Sequence, residues 1–149
     1  MDDPRSKLQT DLKAAMKGRD QLRVTVIRMA LNAIKQDEID QRTTLSAEDA
    51  VAILMREAKK RRESIAEAEK LGRADIVQSE QEELAILEAY LPQQLSADKI
   101  RELARAAIAE AGATSPKDMG NVMRVLMPQV KGQADGRMVN DIVRELLSS

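Results

Sequence analysis

Apolar residues recur at every third or fourth position along nearly the whole chain, and glycines and prolines interrupt the rhythm at intervals. The period is helical throughout. A short first helix is predicted over residues 5–17, stopping at Gly18. A long second helix follows over residues 20–41, where Val24, Ile27, Leu31 and Ile34 form one seam. Ser46, followed by Glu48 and Asp49, is the N-terminal cap expected for a third helix reaching Leu71. Its seam is Val51, Leu54, Ala58, Arg61, Ile65 and Ala68, with one charged intruder. A fourth helix over residues 74–90 carries Val77, Leu84, Leu87 and Leu91 inward. Pro92 then breaks the pattern, because the residue before a proline resists helical geometry.

Beyond it, Ser96 caps a fifth helix with Ile100, Leu103, Ala107 and Ala111 inward, and Gly112 ends it. Ser115, Pro116 and Asp118 start a sixth, which carries Met119, Val122, Met123 and Leu126 and is expected to kink or stop at Pro128. A seventh begins near Asp135 and presents Val139, Ile142 and Leu146. The fold class is therefore all-α. An N-terminal helical domain dominated by two long helices (residues 1–92) is expected to join a small C-terminal three-helix domain (residues 93–149).

Composition narrows the chemistry. Cysteine and histidine are both absent, which removes thiol nucleophiles, disulfides, the commonest general base and the commonest metal ligand. The Glu-x-x-His pairs of a di-metal bundle are excluded on the same ground, so no metal, cofactor or catalytic residue is assigned and the expectation leans against an enzyme. Tyr90 is the sole aromatic residue, so the core is built from Leu, Ile, Val, Met and Ala. No apolar run approaches the roughly 18–20 residues that cross a bilayer, and the start MDDPRSK opens on two aspartates. The expected setting is cytoplasmic, without a membrane partner. A net charge of −1 supplies no global field toward nucleic acid, so any such contact must be local.

The most distinctive local feature is the loop Lys131-Gly132-Gln133-Ala134-Asp135-Gly136, flanked by two amphipathic helices. A glycine turn running into a helix N-terminus can offer free amides to a phosphate, with Lys131 and Arg137 beside it. The opposing reading is structural: Gly132 closes helix six and the Asp135 carboxylate caps helix seven, occupying those amides. The spacing is not that of a nucleotide-binding Gly-rich loop. Asn140 on an otherwise apolar face is expected to fasten the 131–135 turn through its amide. Elsewhere, Arg137 and Arg144 share one helical face, as do Arg101 and Arg105. The run from Lys59 to Arg62 is read as a solvated, salt-bridged face with Glu57–Arg61 as a ready pair. Arg61 in an apolar seam must reach outward or find a carboxylate on a facing helix, and Arg28 is expected to hold a structural ion pair.

The segment KDMGNVMRVLMPQVKGQADGRMVNDIVRELL, residues 117–147, resembles the C-terminal part of the GatB/YqeY family. The matching residues are Gly120, Val122, Met123, Lys131, Gly132, Ala134, Asp135, Val139, Asn140 and the closing Leu146 and Leu147. VTVIRMALNAIK, REAKKRRESI and ELAILEAYLPQQLS extend the likeness over nearly the whole chain. In that family the segment is the tail domain of the aspartyl/glutamyl-tRNA amidotransferase B subunit and the second half of small stand-alone proteins. The resemblance implies an accessory role in binding tRNA or another structured RNA, with Lys117, Arg124, Lys131, Arg137 and Arg144 as candidate contacts. Gly120, Gly132, Asp135 and Asn140 are then the structural motif. It also implies a family association with amido-transferring carbon–nitrogen ligase activity, for which this chain supplies no catalytic constellation. The alternative is a protein-interaction or oligomerisation module, with the amidotransferase or another protein as partner and the Met119, Met123 and Met127 face as an adaptable surface.

Overall fold

The computed structural model describes residues 2–149. Among them are seven α-helices, one 3-10 turn and no strand, as the periodicity predicts. The helices are α1 (Pro4–Lys17), α2 (Gln21–Gln41), α3 (Ala47–Lys70), α4 (Ala74–Glu88), α5 (Ala97–Ala111), α6 (Met119–Val130) and α7 (Gly136–Ser148), with the 3-10 turn at Pro116–Asp118. The chain divides into two compact units, one ending at Leu91 and the other running from Pro92 to Ser149.

Helix starts are set by side-chain caps. Asp3, Asp20, Ser46, Ser96 and Asp135 each accept a hydrogen bond from a first-turn amide, satisfying a donor that has no partner within the helix. Four helix ends share one backbone arrangement. At α3 and α5 the left-handed residue is glycine, Gly72 and Gly112. At α1 and α2 it is arginine, Arg19 (φ 55°) and Arg42 (φ 56°). α1 ends at Lys17 with Gly18 as its cap, as expected, but Gly18 stays right-handed and Arg19 makes the left-handed turn. The reason is one of counting. The N–H of Asp20 reaches the Ala15 carbonyl at 2.9 Å and that of Arg19 reaches Met16 at 3.3 Å, which leaves the left-handed position one residue later.

In the N-terminal unit α1 pairs with α2 and α3 with α4, and Leu8, Ile27, Ile34, Leu54 and Leu87 are fully enclosed between them. Because α2 packs against α1, α3 and α4, its buried face is broader than a single seam. Val26 and Ala30 join it, while Leu31 sits at the edge. Arg5 closes one end, donating to Glu38 at 2.6 Å and to the Leu45 carbonyl, and so ties α1 to α2 and to the loop before α3. Tyr90 closes another, its hydroxyl donating to Asp11 at 2.5 Å.

The tail unit has its own core: Ile100, Ala104, Val122, Leu126, Val130, Val139 and Val143. Met119, Met123 and Met127 pack against it and are half-buried, so they form core margin rather than a free face. Pro128 does not end α6; the helix continues to Val130. Proline lacks an N–H, so the Arg124 carbonyl forgoes one hydrogen bond, but Pro128 is exposed and lies in the last turn, where the ring costs least.

Candidate nucleic-acid interface

The tail unit builds its outer surface from the start of α6. The N–H groups of Thr114 and Ser115 donate to the Asp118 carboxylate at 2.9 and 3.3 Å. These bonds, Thr114 first, hold the Asp118 carboxyl below the ordinary carboxylate range. The bracket fixes the 3-10 turn and sets Lys117 immediately before α6. Lys117, in that turn, and Arg124, on α6, lie seven residues apart, and both are exposed. Between them Gly120 is exposed and has open space where a side chain would stand, so the helix backbone there can be approached closely.

At the far end of α6 the chain makes a tight turn. The Gln133 N–H reaches the Val130 carbonyl at 2.9 Å, Lys131 adopts φ −58° and ψ 127°, and Gly132 adopts φ 79°. Those angles belong to a type II β-turn, whose third residue must be left-handed, and this is why glycine stands there. Sequence reasoning assigned the fastening of this turn to Asn140. The hydrogen bonds assign it to residues just before α5 instead. The Gln94 side-chain amide donates to the Gly132 carbonyl at 3.0 Å, and the Leu95 N–H donates to Gln133 at 2.8 Å. Asn140 is half-buried beside Val139. The available signal was the polar pair Gln93-Gln94 wedged between Pro92 and Leu95, but nothing in the sequence tells which loop it meets.

Asp135 then caps α7, accepting from the Arg137 N–H at 3.3 Å. The carboxylate therefore occupies the helix N-terminus that a phosphate would use, and the amides of this turn are not an open anion cradle. What faces outward is side chain: Arg137 and Arg144, two turns apart on α7 and both exposed, with Asp141 on the same side. Lys131 is also exposed. The structure thus sets Lys117 in the 3-10 turn ahead of α6, Gly120 and Arg124 on α6 one turn apart, and Arg137 and Arg144 on one face of α7. On α5, Arg101 pairs with Asp98 at 3.2 Å and Lys99 with Glu102 at 3.4 Å, which neutralises that helix locally.

The basic run of α3 is salt-bridged. Arg56 meets Asp37 at 3.5 Å, Lys60 meets Glu57 at 3.4 Å and Arg62 meets Glu88 at 2.9 Å. Arg61 is buried, and its partners are Glu83 and Glu80 on α4 rather than Glu57. Arg28 corrects another expectation: it is exposed and rests 3.9 Å from the Met16 sulfur, with no ion pair among the described residues. No cluster of three or more potential metal ligands occurs among the described residues. No helix of theirs is long and apolar enough to cross a membrane.

Residues 5–147 match the family model described as Yqey-like protein. The chain is similar to proteins named "Altered inheritance of mitochondria protein 41, mitochondrial". That of Eremothecium gossypii is 40% identical over 90 residues, covering 60% of this chain and 49% of the relative. That of Kluyveromyces lactis is 42% identical over 87 residues, covering 56% and 45%. That of Pyrenophora tritici-repentis is 27% identical over 150 residues, covering 96% and 80%. The chain thus matches about half the length of the first two. These names overturn the cytoplasmic expectation, since the relatives are mitochondrial by name. That expectation rested on the lack of an apolar span, which cannot separate one aqueous compartment from another.

Proposed function

The chain belongs to the Yqey-like protein family, and from that premise we propose that it is an accessory protein that binds structured RNA, tRNA above all, through its tail unit. The observation that carries this reading is the set Lys117, Arg124, Arg137 and Arg144. All four are exposed, they fall in two pairs seven residues apart, and none has a carboxylate partner among the described residues. Exposed cations without a carboxylate partner are the groups that phosphates can engage. The open backbone at Gly120 lets a strand lie close to α6 between two of them.

Tyr90 is the only aromatic side chain and it is buried, so unstacked bases have no platform. The RNA in this reading is therefore folded and recognised by shape and phosphate position. The resemblance of the tail segment to the amidotransferase tail domain supplies tRNA as the candidate. The relatives' names point to mitochondria as the compartment. No step of amide transfer is assigned to any residue of this chain.

The test is a titration of the full chain against total tRNA across a salt series. Wild-type protein is expected to bind with an affinity that falls as salt rises. The variant Lys117→Ala, Arg124→Ala, Arg137→Ala, Arg144→Ala should flatten the log–log slope by up to about 0.9 for each phosphate it no longer neutralises. Absence of binding at low salt overturns the proposal, as does a quadruple variant that binds like wild type.

A further inference from the structure

The outer face of α2 is built unlike the rest of the surface. Leu22, Thr25, Met29, Asn32, Gln36 and Ile39 follow one another at alternating steps of three and four, and all six are exposed. None is charged, in a chain with 33% charged residues. The row spans about 25 Å at roughly 1.5 Å per residue. Three of its members are large apolar side chains left to solvent: Leu22 at 36%, Met29 at 49% and Ile39 at 59% exposure. This three–four alternation is the spacing at which one helix packs along another.

Beside the seam run exposed cations: Arg28 and Lys35, seven residues apart on α2, and Arg42 at the helix's left-handed C-cap. No carboxylate pairs with them among the described residues, and the Arg28 head group lies 3.9 Å from the Met16 sulfur. The acids of α2 are engaged elsewhere. Asp37 faces Arg56, Glu38 faces Arg5, and Asp40 accepts from Gln36 at 2.9 Å on the other side of the seam.

We propose that this face docks an acidic amphipathic helix of a protein partner, about five turns long, with apolar residues over the Leu22–Met29–Ile39 row, carboxylates at seven-residue spacing against Arg28 and Lys35, and a further one at its end against Arg42. Charge complementarity selects the occupant. A phosphate backbone would engage these cations but gain nothing from three exposed apolar side chains. A second copy of α2 fits poorly, because α2 carries no acidic rail to answer its own cations. Met29 suits such a seam, since a flexible thioether adapts to different neighbours. Asn32, a polar residue inside the row, limits the registers in which a helix can settle.

The probe is a synthetic helix of about three heptads with Leu at the two seam positions and Glu at the flanking ones, titrated against the full chain by fluorescence anisotropy. Its control is the same peptide with Lys in place of Glu. Expected are saturable, salt-sensitive binding of the acidic peptide, none of the basic one, and a loss of about tenfold or more on Arg28→Glu, Lys35→Glu, Arg42→Glu. That variant should in turn bind the basic peptide, a gain that misfolding cannot mimic. Met29→Asp should abolish both. The proposal is overturned if the acidic peptide fails to bind, if both peptides bind alike, or if charge reversal leaves the preference unchanged. Sedimentation showing a dimer that Met29→Asp dissociates overturns it in favour of a second copy. Tail-unit variants should leave peptide binding unaltered, which separates this surface from the RNA reading.

Discussion

Arg61 shows what a single residue in the wrong-looking place can require. A guanidinium within an apolar seam must either reach water or meet a carboxylate, and that much follows from sequence spacing. The sequence offers Glu57 one turn away; the fold supplies Glu80 and Glu83 from α4, with the Met29 sulfur 3.6 Å from the other side of the head group. Replacing Arg61 with Met keeps the apolar stem but leaves two half-buried carboxylates facing each other. The expected cost is about 1–3 kcal/mol, read by urea unfolding, with part of it recovered when Glu83→Gln is added. Tyr90 makes a second residue-scale case. Burial, then its hydrogen bond to Asp11, pushes the phenol above its usual 10.0. A group raised in the folded state stabilises it fully below the unfolded pKa and loses that contribution as pH climbs through the folded value. Stability should therefore be insensitive to this group at neutral pH and fall above about pH 10. Because Tyr90 is the sole tyrosine, its ultraviolet titration reports it alone; a midpoint at the ordinary value would contradict the buried hydrogen bond. Tyr90→Phe should cost about 1 kcal/mol at pH 7 and flatten the alkaline decline.

Helix starts were legible one by one, because a cap is a local match between a short polar side chain and the amides that follow it. Ser46, Ser96 and Asp135 each take the role that their sequence context predicts. Helix ends were less legible. Two of the four left-handed ends fall on arginine, which ordinary propensity does not pick out, and the register of the backbone hydrogen bonds decides them. Arg19→Gly should therefore stabilise the N-terminal unit by up to about 1 kcal/mol, seen as a higher Tm, because glycine enters φ 55° without a Cβ clash. The converse change, Gly132→Ala, puts a Cβ into the left-handed position of the type II turn. It should destabilise the tail unit by about 1–2 kcal/mol in a denaturant titration. Asp118→Asn weakens the bracket that sets Lys117 before α6. Asp118 is depressed by the Thr114 and Ser115 amides, so its contribution is present above the unfolded carboxylate pKa and fades as pH falls through the folded value. Wild type and Asp118→Asn should therefore converge in Tm toward acid pH.

At the scale of the whole molecule, two apolar cores close separately, one before Leu91 and one after Pro92. The tail core is the smaller, and small cores hold their margin narrowly. Scanning calorimetry is expected to show the tail unit melting first, with Gly132→Ala shifting that transition alone. Net charge is near zero, yet cations without carboxylates remain on α1, α2, α6 and α7, while most of those on α3 and α5 are paired. No sum over the sequence could show this, because pairing depends on which helix faces which. The sequence by itself determined the all-helical class, the existence and approximate extent of seven helices, most of their caps and the family, since each rests on spacing along a single stretch of chain. The tertiary structure alone decided that Arg61 meets α4, that Gln94 rather than Asn140 fastens the Gly132 turn, that the Met119–Met123–Met127 row is core margin, and that α2 bears an uncharged seam beside unpaired cations. Those outcomes depend on contacts between residues far apart in the chain, and a helical repeat tells which face of a helix is apolar but not what will cover it.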